Sequence, residues 1–296
     1  FKKWGAVGIV LRMISESAAG PPRGKPNRQQ AVLTVQDKTQ VSKNLVRLCL
    51  GGSDYVKLNR NSCTDAYVKL LLPRPGSGLA APFDMDRLRI EAPELLPARR
   101  TYTVRRWDDA NERLWIDIVL HNAPGQHGLA SDWATRAHEG DQIALMGAGG
   151  GYSPHPEADL HVLVGDHATV PAIAAALEVM PSSARGHAVI HVEDEADILP
   201  LSLPEGFSLE WVVGAREGLL VAVETLDIPH DIIDKRGVHV FCHAERGLTK
   251  QLRAHLVRER GIARDDISIS AYWALGRVED RFQAEKREAI GRIDPD

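Results

Sequence analysis

The chain is poor in cysteine. Of its 296 residues only Cys49, Cys63 and Cys242 are thiols, and none forms a C-x-x-C pair. This excludes a disulfide scaffold and a cysteine-ligated zinc or iron–sulfur centre, and it suits a reducing, cytoplasmic compartment. Cys242 lies in an apolar run, where a thiol serves as a small buried hydrophobe. Charge of one sign is also missing: 36 basic residues stand against 40 acidic ones, a net charge of -4. Nothing therefore draws the whole chain to nucleic acid or anionic lipid, and any basic site is local. No apolar run reaches the roughly 18 residues of a membrane helix, so a soluble protein without membrane insertion is expected. There is no internal repeat, no low-complexity tract and no triad pattern. The 12 histidines lack a Cys/His/Asp ligand spacing, so no protein-bound metal is expected.

The length suits two domains of roughly 150 residues each. Residues 1–30 read as a leader of undefined role. Phe1-Lys2-Lys3 and the apolar stretch 4–11 have the outline of a secretory signal, but Arg12 interrupts it and no A-x-A site follows. From 31 to 152 the signals are short, alternating and separated by turns. Strands are expected at 31–36, 45–50, 67–72, 101–107, 114–120 and 142–146, with a Gly/Pro loop at 73–82 and one helix at 131–138. Six such strands predict a small antiparallel barrel. The run Ala148-Gly149-Gly150-Gly151-Tyr152-Ser153-Pro154 breaks the pattern and marks a domain boundary.

From 153 to 296 the rhythm changes. Short apolar runs at 160–165, 187–193, 209–213, 238–243 and 267–272 alternate with helical segments at 171–180, 217–226 and 245–260. This alternation predicts a doubly wound parallel α/β domain, whose ligands sit at the carboxyl ends of its strands. The last segment, 280–296, reads as a solvated surface helix.

The chemistry concentrates in Arg99-Arg100-Thr101-Tyr102-Thr103-Val104-Arg105. An arginine, an aromatic ring and a hydroxyl on one strand face offer a charge clamp, a stacking plate and a hydrogen bond to a planar, phosphate-bearing cofactor. We read this as a flavin seat. The segment from His121 to Ser131 is a glycine-containing loop feeding a helix, whose free first-turn N–H groups suit a pyrophosphate. After the second strand of the α/β half, Glu193-Asp194-Glu195 would repel a phosphate group placed beside it.

Taken in order, these motifs resemble the siderophore-interacting proteins, FAD-dependent ferric-siderophore reductases of the ferredoxin-reductase superfamily. The likeness rests on Val68 to Pro73, Arg100 to Arg105, Val119 to His121, Gly128 to Ala134, Gly140-Asp141, Gly165-Asp166 through Ile173, Val257 to Gly261 and Ala271 to Trp273. It implies that Arg100 binds FAD phosphate, that Tyr102 stacks on the flavin and that Thr103 sits near its reactive nitrogen. Val104, His121, Gly128, Ala130 and Ser131 complete the FAD site, while Asp166 and Thr169 meet the nicotinamide cofactor. The chain departs from the family pattern at Leu129, at His167-Ala168-Thr169, at Gly147-Ala148, and at Ala274-Leu275, where a basic pair is usual.

The activity implied is electron transfer from NADH or NADPH through FAD to Fe(III) in a ferric siderophore, with release of Fe(II). Lys69, Arg105, Arg106 and Arg277 are candidate cations for an anionic siderophore. Two alternatives remain at this stage: a flavin reductase that feeds a protein electron carrier, and a non-catalytic siderophore- or flavin-binding module.

Overall fold

Alternation of apolar and polar residues dictates the first half of the fold. In the computed structural model, which describes residues 29–120 and 128–293, six antiparallel strands close a barrel in the order β1-β2-β5-β4-β3-β6. They are β1 (Gln30–Ser42), β2 (Leu45–Gly51), β3 (Tyr67–Leu72), β4 (Ala98–Asp108), β5 (Arg113–Val119) and β6 (Gln142–Gly149). Every second residue enters the interior, where Leu33, Leu48, Leu70, Leu114, Ile116 and Leu145 are fully buried. Closure between β1 and β6 leaves no exposed edge. Residues 73–82 form the expected loop; the short helix α1 (Met85–Glu91), which was not expected, follows it, and Leu79, Phe83 and Leu88 cover the outer face of the barrel around Leu71. Helix α2 (Leu129–Arg136) closes one end, burying Ala130 and Ala134 in the barrel core.

The second half is a five-stranded parallel sheet in the order β11-β10-β7-β8-β9. Its strands are β7 (Leu160–Asp166), β8 (Arg185–Val192), β9 (Gly206–Val213), β10 (Val238–Glu245) and β11 (Ile267–Trp273). β7 is buried along its whole length, as expected of a central strand covered on both faces. Around it pack α3 (Val170–Val179), α4 (Gly218–Glu224), α5 (His230–Asp234) and α6 (Arg246–Arg253), with α7 (Glu279–Glu285) near the end. Strand order reverses at β7, so the crevice between β7 and β10 is the topological switch point at which α/β sheets take their ligands.

The two halves share an apolar cluster in which Leu45 of the barrel meets Tyr152, Leu163, Ile173 and Phe241. Polar clamps reinforce it. Buried Asp197 accepts hydrogen bonds from the Ser42 hydroxyl, the Asn44 N–H and the Asn44 amide. Arg105 of β4 makes a two-pronged ion pair with Glu178 of α3.

Three histidines of the parallel sheet are held neutral. Burial, aided by neighbouring imidazoles, pushes His239 down to about 4 and lowers His161. His243, enclosed between the Ser268 and Ser270 hydroxyls, is pushed down to about 3, chiefly by burial. The unfolded chain binds protons at these sites from about pH 6.5 downward, before the folded chain does, so their contribution to stability is complete above that pH and is lost below it. Asp166, raised to about 6 by burial, works in the opposite direction, as do Asp65 and Glu279, whose carboxyls burial also raises, while His167, lowered by burial, joins the three histidines. Carboxyls have an ordinary range well below pH 5, so the histidines dominate between pH 7 and pH 5. The melting temperature is therefore expected to fall between pH 7 and pH 5; a flat or rising profile by calorimetry would contradict this.

Candidate functional site

Strand β4 lies between β3 and β5, and its pleat sorts the motif onto two faces. Arg100 and Tyr102 stand opposite Leu70 and Val68, while Thr101 and Thr103 stand opposite Lys69 and Tyr67. The expectation that arginine, ring and hydroxyl share one face therefore holds for Arg100 and Tyr102 alone; the two-residue period turns Thr103 the other way. Tyr102 packs against the barrel core, and burial raises its hydroxyl well above the ordinary phenol range. Val104 is buried, and its N–H donates to the Ala66 carbonyl at 2.6 Å. Buried Thr103 lies beside Tyr272 of β11. One strand thus carries the aromatic–arginine pair and also touches the α/β half.

The Gly128 backbone is extended, and no side chain caps the N-terminus of α2 that follows it. A helix start without a side-chain cap fits an anionic phosphate. Ser131 is buried in the first turn of α2. His121 lies outside the described residues, as does the rest of the loop to residue 127.

At the switch point Asp166 is fully enclosed. Its carboxylate accepts hydrogen bonds from the N–H groups of Ala168 and Glu245 and from the indole of Trp273, at 3.1, 2.8 and 2.8 Å. The Thr169 side chain is 0% exposed and donates to the Asp166 carbonyl. Both residues are expected to meet the nicotinamide directly; the Asp166 carboxylate ties the ends of β7, β10 and β11 together, and Thr169 bonds back to the Asp166 carbonyl. Glu245 caps α6 through Gly247 and Leu248 and also accepts from the Leu275 N–H, which fixes the turn where the usual basic pair is replaced. Beside the crevice, at the carboxyl ends of β8 and β9, a cavity of about 420 Å³ is lined by His191, Glu193 and the segment Gly214 to Glu217. The Arg216 guanidinium lies 5.9 Å from the Trp273 ring centre.

The candidate siderophore cations sit in different surroundings. Lys69 faces outward opposite Thr101. Arg105 is committed to Glu178, and Arg277 to Glu285 at 2.7 Å. Arg106 is exposed and lies over the Trp115 ring. Among the described residues no group of three or more His, Cys, Asp or Glu side chains is placed to hold a metal ion, and no helix is long and apolar enough to cross a membrane.

Sequence reasoning missed the C-terminal segment. Rather than a solvated helix, α7 buries Phe282 against Ala271 and Ala274. Glu285 is enclosed by Arg246, Arg277 and Arg281, which hold its carboxyl down to about 2. At the other end of α7, Glu279 accepts from the Thr101 N–H and hydroxyl, and Asp280 lies 3.4 Å from Arg100. The acidic pair at a helix start was a legible cap signal; its landing on β4 was not.

A closed antiparallel barrel joined to a parallel five-stranded sheet is the ferredoxin-reductase-like fold. Phthalate dioxygenase reductase, whose structure serves electron transfer from pyridine nucleotides to [2Fe-2S], shares it at a TM-score of 0.57 and 11% identity, over 85% of this chain and 70% of that one. More specifically, residues 34–152 match the profile of the siderophore-interacting FAD-binding domain, and residues 158–276 that of the siderophore-interacting protein. The chain is 33% identical to the ferric vibriobactin reductase ViuB of Vibrio cholerae, over 84% of this chain and 91% of that one. It superposes on the siderophore-interacting protein SipS of Aeromonas hydrophila at a TM-score of 0.74 and 30% identity, over 90% and 99% of the two chains. The chain belongs to the siderophore-interacting protein family.

Proposed function

We propose that this chain is a reductase that passes electrons from NAD(P)H through FAD to Fe(III) in a ferric siderophore, releasing Fe(II) in the cytoplasm. The observation that carries the reading is β4 itself: Arg100 and Tyr102 share one face, while Arg105, further along the strand, pairs with Glu178 of α3 in the α/β half. Bound FAD supplies the exchange between a two-electron hydride donor and a one-electron acceptor.

In this reading Arg100 and the first-turn amides of α2 hold the diphosphate. Tyr102 stacks on the ring system and Thr103 orients its reactive edge. Val104, His121, Gly128, Ala130 and Ser131 line the rest of the site. Asp166 and Thr169 shape the floor on which the nicotinamide lands. Lys69 offers charge to an anionic siderophore, and Arg105 and Arg277 do so only by sharing their carboxylates. Fe(II) is held less tightly than Fe(III) by hard anionic oxygen ligands, so reduction releases it.

The carboxylate of Glu193, in the cavity beside the crevice, favours NADH over NADPH, because a 2′-phosphate there meets a negative charge. The purified protein is expected to take up FAD, turn yellow and bleach anaerobically with a higher kcat/KM for NADH. A colourless protein that takes up no FAD would overturn the reading, and a higher kcat/KM for NADPH would overturn the donor preference alone.

A further inference from the structure

We infer that Glu279 sets the redox potential of the flavin, holding it low by fixing a negative charge on the strand that seats the cofactor. The inference rests on the FAD reading above and names a residue outside the motifs that suggested it.

Three observations carry it. First, the charge is immobilised. The Glu279 carboxylate accepts from the Thr101 N–H at 3.1 and 3.0 Å and from the Thr101 hydroxyl at 2.6 Å. Thr101 lies between Arg100 and Tyr102, the two residues given to the cofactor.

Second, the helix that carries Glu279 is anchored at its other end. Glu285 is ion-paired with Arg246, Arg277 and Arg281, and Phe282 is 1% exposed. The carboxylate is thereby held against β4 rather than swinging into water.

Third, of the three cations that face it, Arg100 and Lys286 have other partners, which leaves Lys69 as the one that offsets part of its charge. Arg100, Lys69 and Lys286 face Glu279, as does the Tyr102 hydroxyl. Arg100 is the residue that a diphosphate would neutralise, and Lys286 lies over the Phe282 ring. Asp280, at 52% side-chain exposure, is more strongly screened.

Reduction adds electrons, and with them negative charge, to the flavin. A fixed carboxylate in a partly buried site raises the free energy of that reduced state more than that of the oxidised state, which lowers the potential. A low potential is what delivery of electrons to tightly chelated Fe(III) requires.

The test is a spectroelectrochemical titration of the FAD-loaded protein, a readout independent of turnover. Glu279→Gln is expected to shift the midpoint potential upward, while Glu279→Asp, which keeps the charge, stays near wild type. A midpoint in Glu279→Gln equal to or below wild type would overturn the proposal. Glu279→Ser is the second neutral variant. If neither neutral variant retains FAD, Glu279 is a binding residue and the proposal fails. A wild-type protein that takes up no FAD at all would overturn the flavin reading and the proposal with it.

Discussion

Arg100→Ala is expected to weaken FAD binding roughly 10- to 150-fold, the equivalent of losing one charge-assisted contact of about 1.5–3 kcal/mol. The guanidinium stands on the same β4 face as Tyr102. Its partners without cofactor are the Arg99 carbonyl at 2.8 Å and the half-exposed Asp280. An exposed pair of that length contributes little to stability, so the fold should survive the substitution. A fluorescence titration of apoprotein with FAD reads the change, with the melting temperature as control. Retained affinity would place the phosphate site elsewhere.

Asp166→Asn is the second large effect, and it acts on the other half of the molecule. Three donors converge on the two oxygens of a buried carboxylate. An amide replaces one oxygen with a donor, so at least one N–H is left facing another N–H. Each such unmade buried bond costs about 1–3 kcal/mol, or roughly 2–4 °C of melting temperature per kcal/mol in a domain of this size. Because Asp166 joins the ends of β7, β10 and β11, reduction of bound flavin by NADH should slow several-fold while FAD affinity changes little. Unchanged stability together with unchanged reduction kinetics would mean that the carboxylate is not what holds the switch point.

Much of this architecture was legible in the residue pattern, for reasons that also explain the misses. The barrel strands announce themselves because one face of each is buried, so Ala31, Leu33 and Val35 on β1, and Leu114, Ile116 and Ile118 on β5, fall at every second position. The buried run at β7 and the helical spacing after it mark the parallel sheet equally plainly. The Arg100–Tyr102 pair stood out because a strand displays i and i+2 together. Placing Thr103 with them overlooked the same rule.

Contacts made across long sequence separations were less visible. Glu279 meets a strand 178 residues away, and Glu285 meets Arg246 39 residues away. No local periodicity encodes either pairing. Charged residues spaced along 280–296 read as a solvated face when their partners are distant. Likewise, nothing in the local pattern announces that the Asp166 carboxylate gathers donors from Ala168, Glu245 and Trp273.

The measurement that most directly tests the account is an anaerobic single-turnover experiment. FAD-loaded protein is reduced with NADH and then mixed with a ferric siderophore in the presence of a ferrous chelator. The account predicts that the flavin recolours with no other protein present and that two Fe(II) are trapped per flavin, one for each electron that a hydride delivers. Flavin that is reduced by NADH yet yields no Fe(II) until a protein electron carrier is added would contradict it.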